Sequence, residues 1–458
     1  MNPVIFREYD IRGVVGKDFD TEFARNLGRA VASEVIDQFG PAPLMTVGYD
    51  ARLSSPELKD AVAKGISETG ARVLILGLVT TPISYFSTFA LKDVKGSIMV
   101  TGSHNPPEYN GFKISVGPST IFGNKIQEMK SRILNKKFHT GTGTIDNFDI
   151  RPMYIERYKN EFGTLKDIPV VIDCGNGTAG CVVRSLYEAV GLKPTILFED
   201  PDGTFPNHHP DPTVEKNLHD LKHWVKKTNA KIGIGFDGDS DRIGVVDHTG
   251  KMILGDELMV LVARDLLREN KGLKIVGDVK CSDRMYSDIE KHGGKPIMWK
   301  TGHSLVKEKI KIEKAPFGGE LSGHIFFADR NYGFDDALYA GLRLIEILAK
   351  TGKTISELLE GLPPAAYTPE IRIDTTEELK VSMVEKIKAA FSKRKDVSLD
   401  FTDGIRISFE DGWALARASN TQPVLVLRFE GRNQSAMTRI KQSVEDVIGI
   451  DTDKLTSH

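Results

Sequence analysis

Along the first hundred residues, apolar runs of strand length alternate with stretches whose apolar positions recur at helical spacing. TEFARNLGRAVASEVIDQF (21–39) reads as a helix, and LMTVGYD as a strand ending on Asp50. SPELKDAVAKGISETG is a helix begun at Ser55-Pro56 and stopped by Gly70. ARVLILG, TTPISYFSTFAL and KGSIMV continue as strand, helix and strand. This rhythm predicts a parallel sheet covered by helices, with ligands beyond the carboxyl ends of the strands.

The rhythm pauses at the polar, Gly/Thr-rich stretch 136–152, a predicted boundary, and resumes with the helix MYIERYKNEFG and the strands IPVVID and KIGIGFD. A third unit starts near Gly255, with helix DELMVLVARDLLREN, strand LKIVGDV and helix GFDDALYAGLRLIEILAKTG. PPAAYTP (363–369) reads as a linker. Beyond it the pattern changes to a hairpin (IRISF, an Asp411-Gly412 turn, WALAR), the strand PVLVLRFEG and a closing helix. The expectation is an α/β protein: three consecutive α/β domains (1–150, 151–254, 255–366) with mixed, largely parallel sheets. An α+β domain (367–458) follows.

Composition narrows the partners. A chain of 458 residues suits about three or four domains. The balance of 61 basic against 63 acidic residues argues against a dedicated nucleic-acid binder. Three cysteines without a CxxC pair argue against a disulfide framework and fit a reducing cytoplasm. MNPVIFREYD has no cationic-then-apolar signal pattern, and no apolar run is long enough to span a bilayer. A cytoplasmic protein is expected, acting as a monomer or weak homo-oligomer.

Polar breaks at strand ends hold the candidate chemistry. TGSHNPPEYNG (101–111) interrupts the pattern after GSIMV with glycines, prolines and asparagines, and places Ser103 at a strand end with Lys113 after the turn. Ser103 is either a nucleophile or a turn-capping hydroxyl. GFDGDSDRIG (235–244) puts Asp237, Asp239 and Asp241 at the end of another strand. Three uncompensated carboxylates so close repel, and hard oxygen donors in a cluster suit Mg²⁺. An EF-hand is excluded, because Arg242 and His248 stand where its Gly and Glu would be. APFGGELSGHIFF (315–327) presents Glu320, Ser322 and His324 in a Gly-rich loop, and RASNTQP (417–423) offers Arg417, Ser419, Asn420 and Thr421, a set suited to a phosphate. Each of these two loops is weak on its own. Two motifs point elsewhere. Gly175, Gly177 and Gly180 follow a strand in GxGxxG order, with Glu199 and Asp200 at the distance of a ribose-binding acid, so a dehydrogenase is a rival reading. The adjacent His208-His209 pair fits a structural turn better than a metal site, since neighbouring side chains in extended chain point apart.

Taken together and in order, FREYDIRG, TGSHNPPEYNGFK, DCGNGTAG, FPNHHPDP, FDGDSDR, GDVKCSD, TGHSLVK, GGELSGH and RASNTQP closely resemble the α-D-phosphohexomutase family over nearly the whole chain, in its bacterial phosphomannomutase/phosphoglucomutase branch. The resemblance implies four domains around a central cleft and a Mg²⁺-dependent enzyme, one ion per chain, that interconverts hexose 1-phosphate and 6-phosphate, of mannose and of glucose, through a hexose 1,6-bisphosphate intermediate. Glucose 1,6-bisphosphate would be its activator. It implies that Ser103 is the phosphoserine, that Asp237, Asp239 and Asp241 hold the metal with Ser103, and that Lys113, His303 and Arg242 belong to the catalytic set. Arg12, Lys280, Glu320, Ser322, His324, Arg417, Ser419, Asn420 and Thr421 would bind substrate. The GxGxxG stretch matches a segment that binds no dinucleotide in the family. Ser240 departs from the pattern, since relatives mostly carry Gly there. A lysine serves as base if cations such as Arg242 depress its pKa, which is the expectation for Lys113. Phosphoglucosamine mutase is the nearest alternative, and a metal-dependent sugar phosphatase a more distant one.

Overall fold

The computed structural model describes residues 2–166, 168–419 and 422–454. It contains four sheets in chain order, each part of a separate layered unit. In the first, the strands Leu44–Tyr49, Arg72–Leu78 and Val94–Val100 lie parallel, and Tyr109–Val116 and Ile11–Val14 extend the sheet antiparallel. The parallel strands read as near-continuous apolar runs because helices cover both faces. The second sheet has Val170–Asp173 and Ile232–Phe236 parallel, with Ile243–Asp247 returning antiparallel. The third repeats this with Lys274–Asp278 beside Phe317–Gly319 and the return strand Ile325–Phe327. The fourth sheet, six-stranded, is wholly antiparallel, as the change of pattern predicts.

One topological device recurs. Each candidate loop joins a strand to its antiparallel neighbour: 101–108, 237–242, 320–324 and 419–423. The antiparallel returns are what a simple strand–helix rhythm passes over; FKISV, after the Ser103 turn, is a buried strand in its own right. The proposed linker also differs. Ala366–Tyr367 within it pairs with Val424–Gly431, so this stretch already belongs to the last sheet.

Helix limits follow their capping residues. Thr21–Phe39 starts at Asp20, whose carboxylate accepts the Phe23 N–H at 2.8 Å. Ala337–Thr351 starts at Asp336 and stops at Gly352, which takes the left-handed conformation that glycine adopts without penalty.

The core is distributed unevenly. A continuous apolar cluster runs from Leu76, Ile83 and Phe86 of the first unit through Ile172 and Ile234 of the second to Ile275 and Leu338 of the third. The last unit has its own cluster around Ile387, Ile405 and Leu427. It meets the third unit through a small patch, Val279, Trp413 and Leu415, and through two buried arginines. Arg406 stacks 3.7 Å from the Trp413 ring centroid and donates to the carbonyls of Val279 and Cys281. Arg428 donates to the Lys280 carbonyl.

Candidate functional site

Ser103 follows directly on the buried strand Val94–Val100 and takes a left-handed φ of 50°. Its hydroxyl donates to Asp237 Oδ2 at 2.9 Å, across a boundary between units. The loop 237–242 reaches it because Gly238 packs on the Ser103 carbonyl; a Cβ there would lie 2.5 Å from that oxygen. The two loops are thus built against each other.

Asp237, Asp239 and Asp241 converge as the spacing predicts. All are buried, and one ligand oxygen from each lies within 4.8 Å of the other two. Asp239 Oδ1 and Asp241 Oδ1 have no hydrogen-bond partner among the described residues, at a place where an unsatisfied carboxylate oxygen is costly. Burial, then the neighbouring Asp239 and Asp241, push the Asp237 carboxyl well above its usual range. Converging, partly unsatisfied carboxylate oxygens are the donor set a hard divalent cation requires, so these residues fit such an ion.

Lys113, on the return strand Tyr109–Val116, donates to Asp239 Oδ2 at 2.6 Å and also to Asp241 Oδ2. Burial favours its neutral form, but Asp239, Asp241, Asp237 and Asp335 outweigh it and raise the pKa. The expected depression by Arg242 is therefore overturned: carboxylates, not cations, dominate around this ammonium. Arg242 itself points the other way, its Nε donating to His324 Nε2 at 3.0 Å. That contact places the His324 proton on Nδ1, 2.9 Å from Asp335 Oδ2. Asp241, His324 and Asp335 form a second close grouping of acidic and imidazole groups, but a protonated Nδ1 cannot ligate a cation.

His303 begins the helix His303–Glu313 and stacks on His324 with ring centroids 5.4 Å apart. Burial, then Lys307, holds its imidazole well below its ordinary pKa, so it is neutral near pH 7. Glu320, at the end of Phe317–Gly319, accepts the Gly302 N–H at 2.6 Å and the Ser322 hydroxyl at 2.9 Å. Arg12 is held by Asp10 and by Asn105 of the Ser103 loop, each at 2.5 Å. Lys280 lies 3.4 Å from Glu370 of the last unit. Burial raises the Glu370 carboxyl, yet Lys280 and Arg372 prevail and lower it to about 2. Arg417 donates through Nε to Asp403 at 2.9 Å, and the same Asp403 oxygen accepts the Thr301 N–H at 3.1 Å. Ser419 follows this strand; Asn420 and Thr421 lie outside the described residues. Ser103, Lys280, Glu320 and Arg417 are all buried.

The comparisons with known proteins match this arrangement from end to end. Phosphoglucomutase/phosphomannomutase alpha/beta/alpha domains I, II and III match residues 3–140, 152–250 and 254–366, and the C-terminal domain of the same family matches residues 370–447. The chain belongs to the phosphoglucomutase/phosphomannomutase family. It is 43% identical to the phosphomannomutase/phosphoglucomutase of Pseudomonas aeruginosa, covering 95% of this chain and 94% of that one. It is 42% identical to a phosphoglucomutase of Neisseria gonorrhoeae, covering 97% and 96%. The crystal structure of a phosphoglucomutase/phosphomannomutase family protein from Burkholderia thailandensis superposes with a TM-score of 0.92 at 43% identity, covering 100% of this chain and 99% of that one.

Within this phosphoglucomutase/phosphomannomutase fold the rival motifs have structural uses. The N–H groups of the GxGxxG turn are spent inside the protein: Gly175 on Asp173, Asn176 on the Phe198 carbonyl, Gly177 on Cys174 and Thr178 on Gly238. These four cannot cradle a pyrophosphate, and the family match over this segment and the whole chain replaces the dehydrogenase reading. His208 clamps its loop by pairing Nε2 with Asp173 at 3.0 Å. Ser240 has a φ of 64°, which accounts for a glycine preference at this position, and its hydroxyl turns to Thr178 at 3.1 Å. Sequence reasoning missed Tyr9, Asp10, Lys307, Asp335 and Asp403. Tyr9 donates to the Thr301 carbonyl at 2.6 Å, tying the first unit to the third beside His303. No helix among the described residues is long and apolar enough to cross a membrane.

Proposed function

We propose that this chain interconverts the 1- and 6-phosphates of mannose and glucose through a phosphorylated Ser103 and an enzyme-held hexose 1,6-bisphosphate. The supporting observation is the placement of Ser103, 2.9 Å from Asp237 of a three-carboxylate cluster that a different unit contributes. A hexose hydroxyl attacks the phosphorus and gives its proton to a base, while the bond from phosphorus to Ser103 Oγ breaks and that oxygen takes up a proton as it leaves. The second half-reaction reverses these events at the other end of the sugar. Asp237, Asp239, Asp241 and the Ser103 group would hold a Mg²⁺ ion, which would supply neutralisation of the phosphoryl charge. His303 and Lys113 are the groups placed to move the proton, since both ring nitrogens of His324 are engaged, Nε2 by Arg242 and Nδ1 by Asp335. His303 is neutral and so able to accept it, while Lys113 is charged and suited to donate or to stabilise. Arg12, held by Asn105 of the Ser103 loop, and Arg242, beside Asp237 and Asp241, put positive charge near the transferring group, while Lys280 puts it near Glu320 and Arg417. Arg417 and Ser419, with Asn420 and Thr421, grip the phosphate that is not being transferred. Glucose 1,6-bisphosphate primes Ser103 when the phosphate has been lost.

Glu320 sets the breadth of substrate. A carboxylate accepts hydrogen bonds from adjacent hydroxyls such as O3 and O4, which glucose and mannose present identically. Those hydroxyls lie between the two phosphorylated ends, so one grip serves both orientations of the bisphosphate. The kcat/KM values for mannose 1-phosphate and glucose 1-phosphate should agree within about tenfold, roughly 1.4 kcal/mol. Glu320→Ala should lower both together. A strong preference for one epimer in wild type, or a variant impaired on one alone, refutes this use of Glu320.

A further inference from the structure

Arg52 lies outside every candidate motif, two residues past Asp50, which follows the strand Leu44–Tyr49. Its side chain is fully buried. A guanidinium carries five N–H donors in a fixed planar fork. Here all five have acceptors. Nε donates to Asp50 Oδ2 at 3.1 Å. Nη1 donates to the carbonyls of Pro106 at 2.5 Å and Tyr109 at 3.0 Å. Nη2 donates to the carbonyls of Ser103 at 2.7 Å and Asn105 at 2.5 Å. Four of the five bonds therefore go to the backbone of one loop, the loop that carries Ser103.

The surroundings are fitted to this side chain. A Cβ on Gly102 would stand 2.5 Å from Arg52 Nε, so the residue before Ser103 has no room for a side chain. Asp50 completes the frame by accepting the Gly102 N–H at 3.0 Å and the Ser55 hydroxyl at 2.5 Å. From the second unit, the Phe205 ring covers the guanidinium at 5.3 Å. Gly238, of the same second unit, presses on the Ser103 carbonyl. Ser103 itself sits at positive φ, a conformation a non-glycine residue holds only where its surroundings over-determine it.

We infer that Arg52 is a positioning residue for phosphoryl transfer: its five-donor fork fixes the Ser103 backbone so that the phosphoserine meets the sugar hydroxyl in line. Asp50 already balances its charge, so geometry, not charge, is what it supplies. Lysine, with three donors on a flexible stem, cannot span the same five acceptors. Phosphoryl transfer depends steeply on alignment, and a displacement of about 1 Å costs on the order of 10²-fold in rate.

This inference rests on the phosphoserine reading, and its test separates the two. Intact mass of wild-type protein after incubation with glucose 1,6-bisphosphate and Mg²⁺ establishes whether Ser103 is phosphorylated; if it is not, the proposed function fails first. Given phosphorylation, Arg52→Lys and Arg52→Gln are compared with wild type in kcat and KM for glucose 1-phosphate, each normalised to folded protein. The expected result is a fall in kcat of about 10²-fold in both, with KM within about threefold, because Glu320 and the 417–423 loop are untouched. A role confined to stability would lower the melting temperature and leave kcat per folded molecule unchanged, which overturns the inference. Recovery of wild-type kcat by Arg52→Lys overturns it as well, since charge alone would then suffice. Should neither variant fold, hydrogen exchange of the wild-type 101–109 segment decides. Strong protection without substrate is expected, and exchange at the rate of an open loop refutes a fixed Ser103 backbone.

Discussion

Replacing Ser103 by alanine is expected to abolish mutase turnover by a factor on the order of 10⁴ or more, without loss of fold. The side chain is small, and its loop is held through backbone carbonyls that alanine retains. What disappears is the only hydroxyl that donates to Asp237 from that loop. The remaining machinery then has no group to give and take back a phosphoryl. Two measurements check this. Intact mass of wild type should rise by one phosphoryl group on incubation with glucose 1,6-bisphosphate, and that of the alanine variant should not. A variant that retained full turnover would remove Ser103 from the reaction.

Metal removal should have an effect of comparable size. Chelation, or Asp239→Asn, is expected to cost about 10³-fold in kcat, as the phosphoryl charge then faces the remaining carboxylates. Affinity for Mg²⁺ should also depend on pH with a definite sign. Burial and its two acidic neighbours raise the Asp237 pKa, so protons compete with the cation for this oxygen. Lowering the pH should therefore weaken Mg²⁺ binding, and binding should release protons. Calorimetric titration with Mg²⁺ at two pH values, in buffers of different ionisation enthalpy, reads both. Equal affinity at pH 6 and 8, or full turnover in excess chelator, would count against the assignment.

The parts of the site that were legible in the sequence are those whose signal is local. Asp237, Asp239 and Asp241 lie within one short turn, where mutual repulsion itself announces a cation. Ser103 stands at an abrupt break after an apolar run. The loops around Glu320 and Arg417 gained meaning only from their order in the chain. Arg52, Asp335 and Asp403 were not legible, because each acts on partners distant in sequence; Arg52 holds a loop more than fifty residues away. The pKa of Lys113 shows the same limit. Arg242 is near the acidic turn in sequence, yet in space the lysine meets Asp239 and Asp241 while the arginine turns to His324. The sheets followed the same rule. Runs with helical or strand periodicity predicted their elements, whereas the antiparallel returns depend on which strand becomes the neighbour.

The division of the apolar core has a consequence for cooperativity. The first three units all contribute to one continuous cluster, the first keeping a second cluster around Leu27, Val31 and Val62, while the last unit takes no part in the shared one and joins it through a small patch and polar contacts. Contacts of that kind add little to the coupling of two cooperative blocks, so heat or urea should melt the protein in two steps, not one. The smaller, C-terminal block has its own enthalpy and its own midpoint. A hexose bisphosphate held as proposed by both Glu320 and Arg417 would touch both blocks and stabilise only the state in which they are docked. Calorimetry should accordingly show two endotherms in the free protein that draw together as ligand is added. Partial unfolding of one block would then be a normal excursion of the free enzyme, suppressed while substrate is on board.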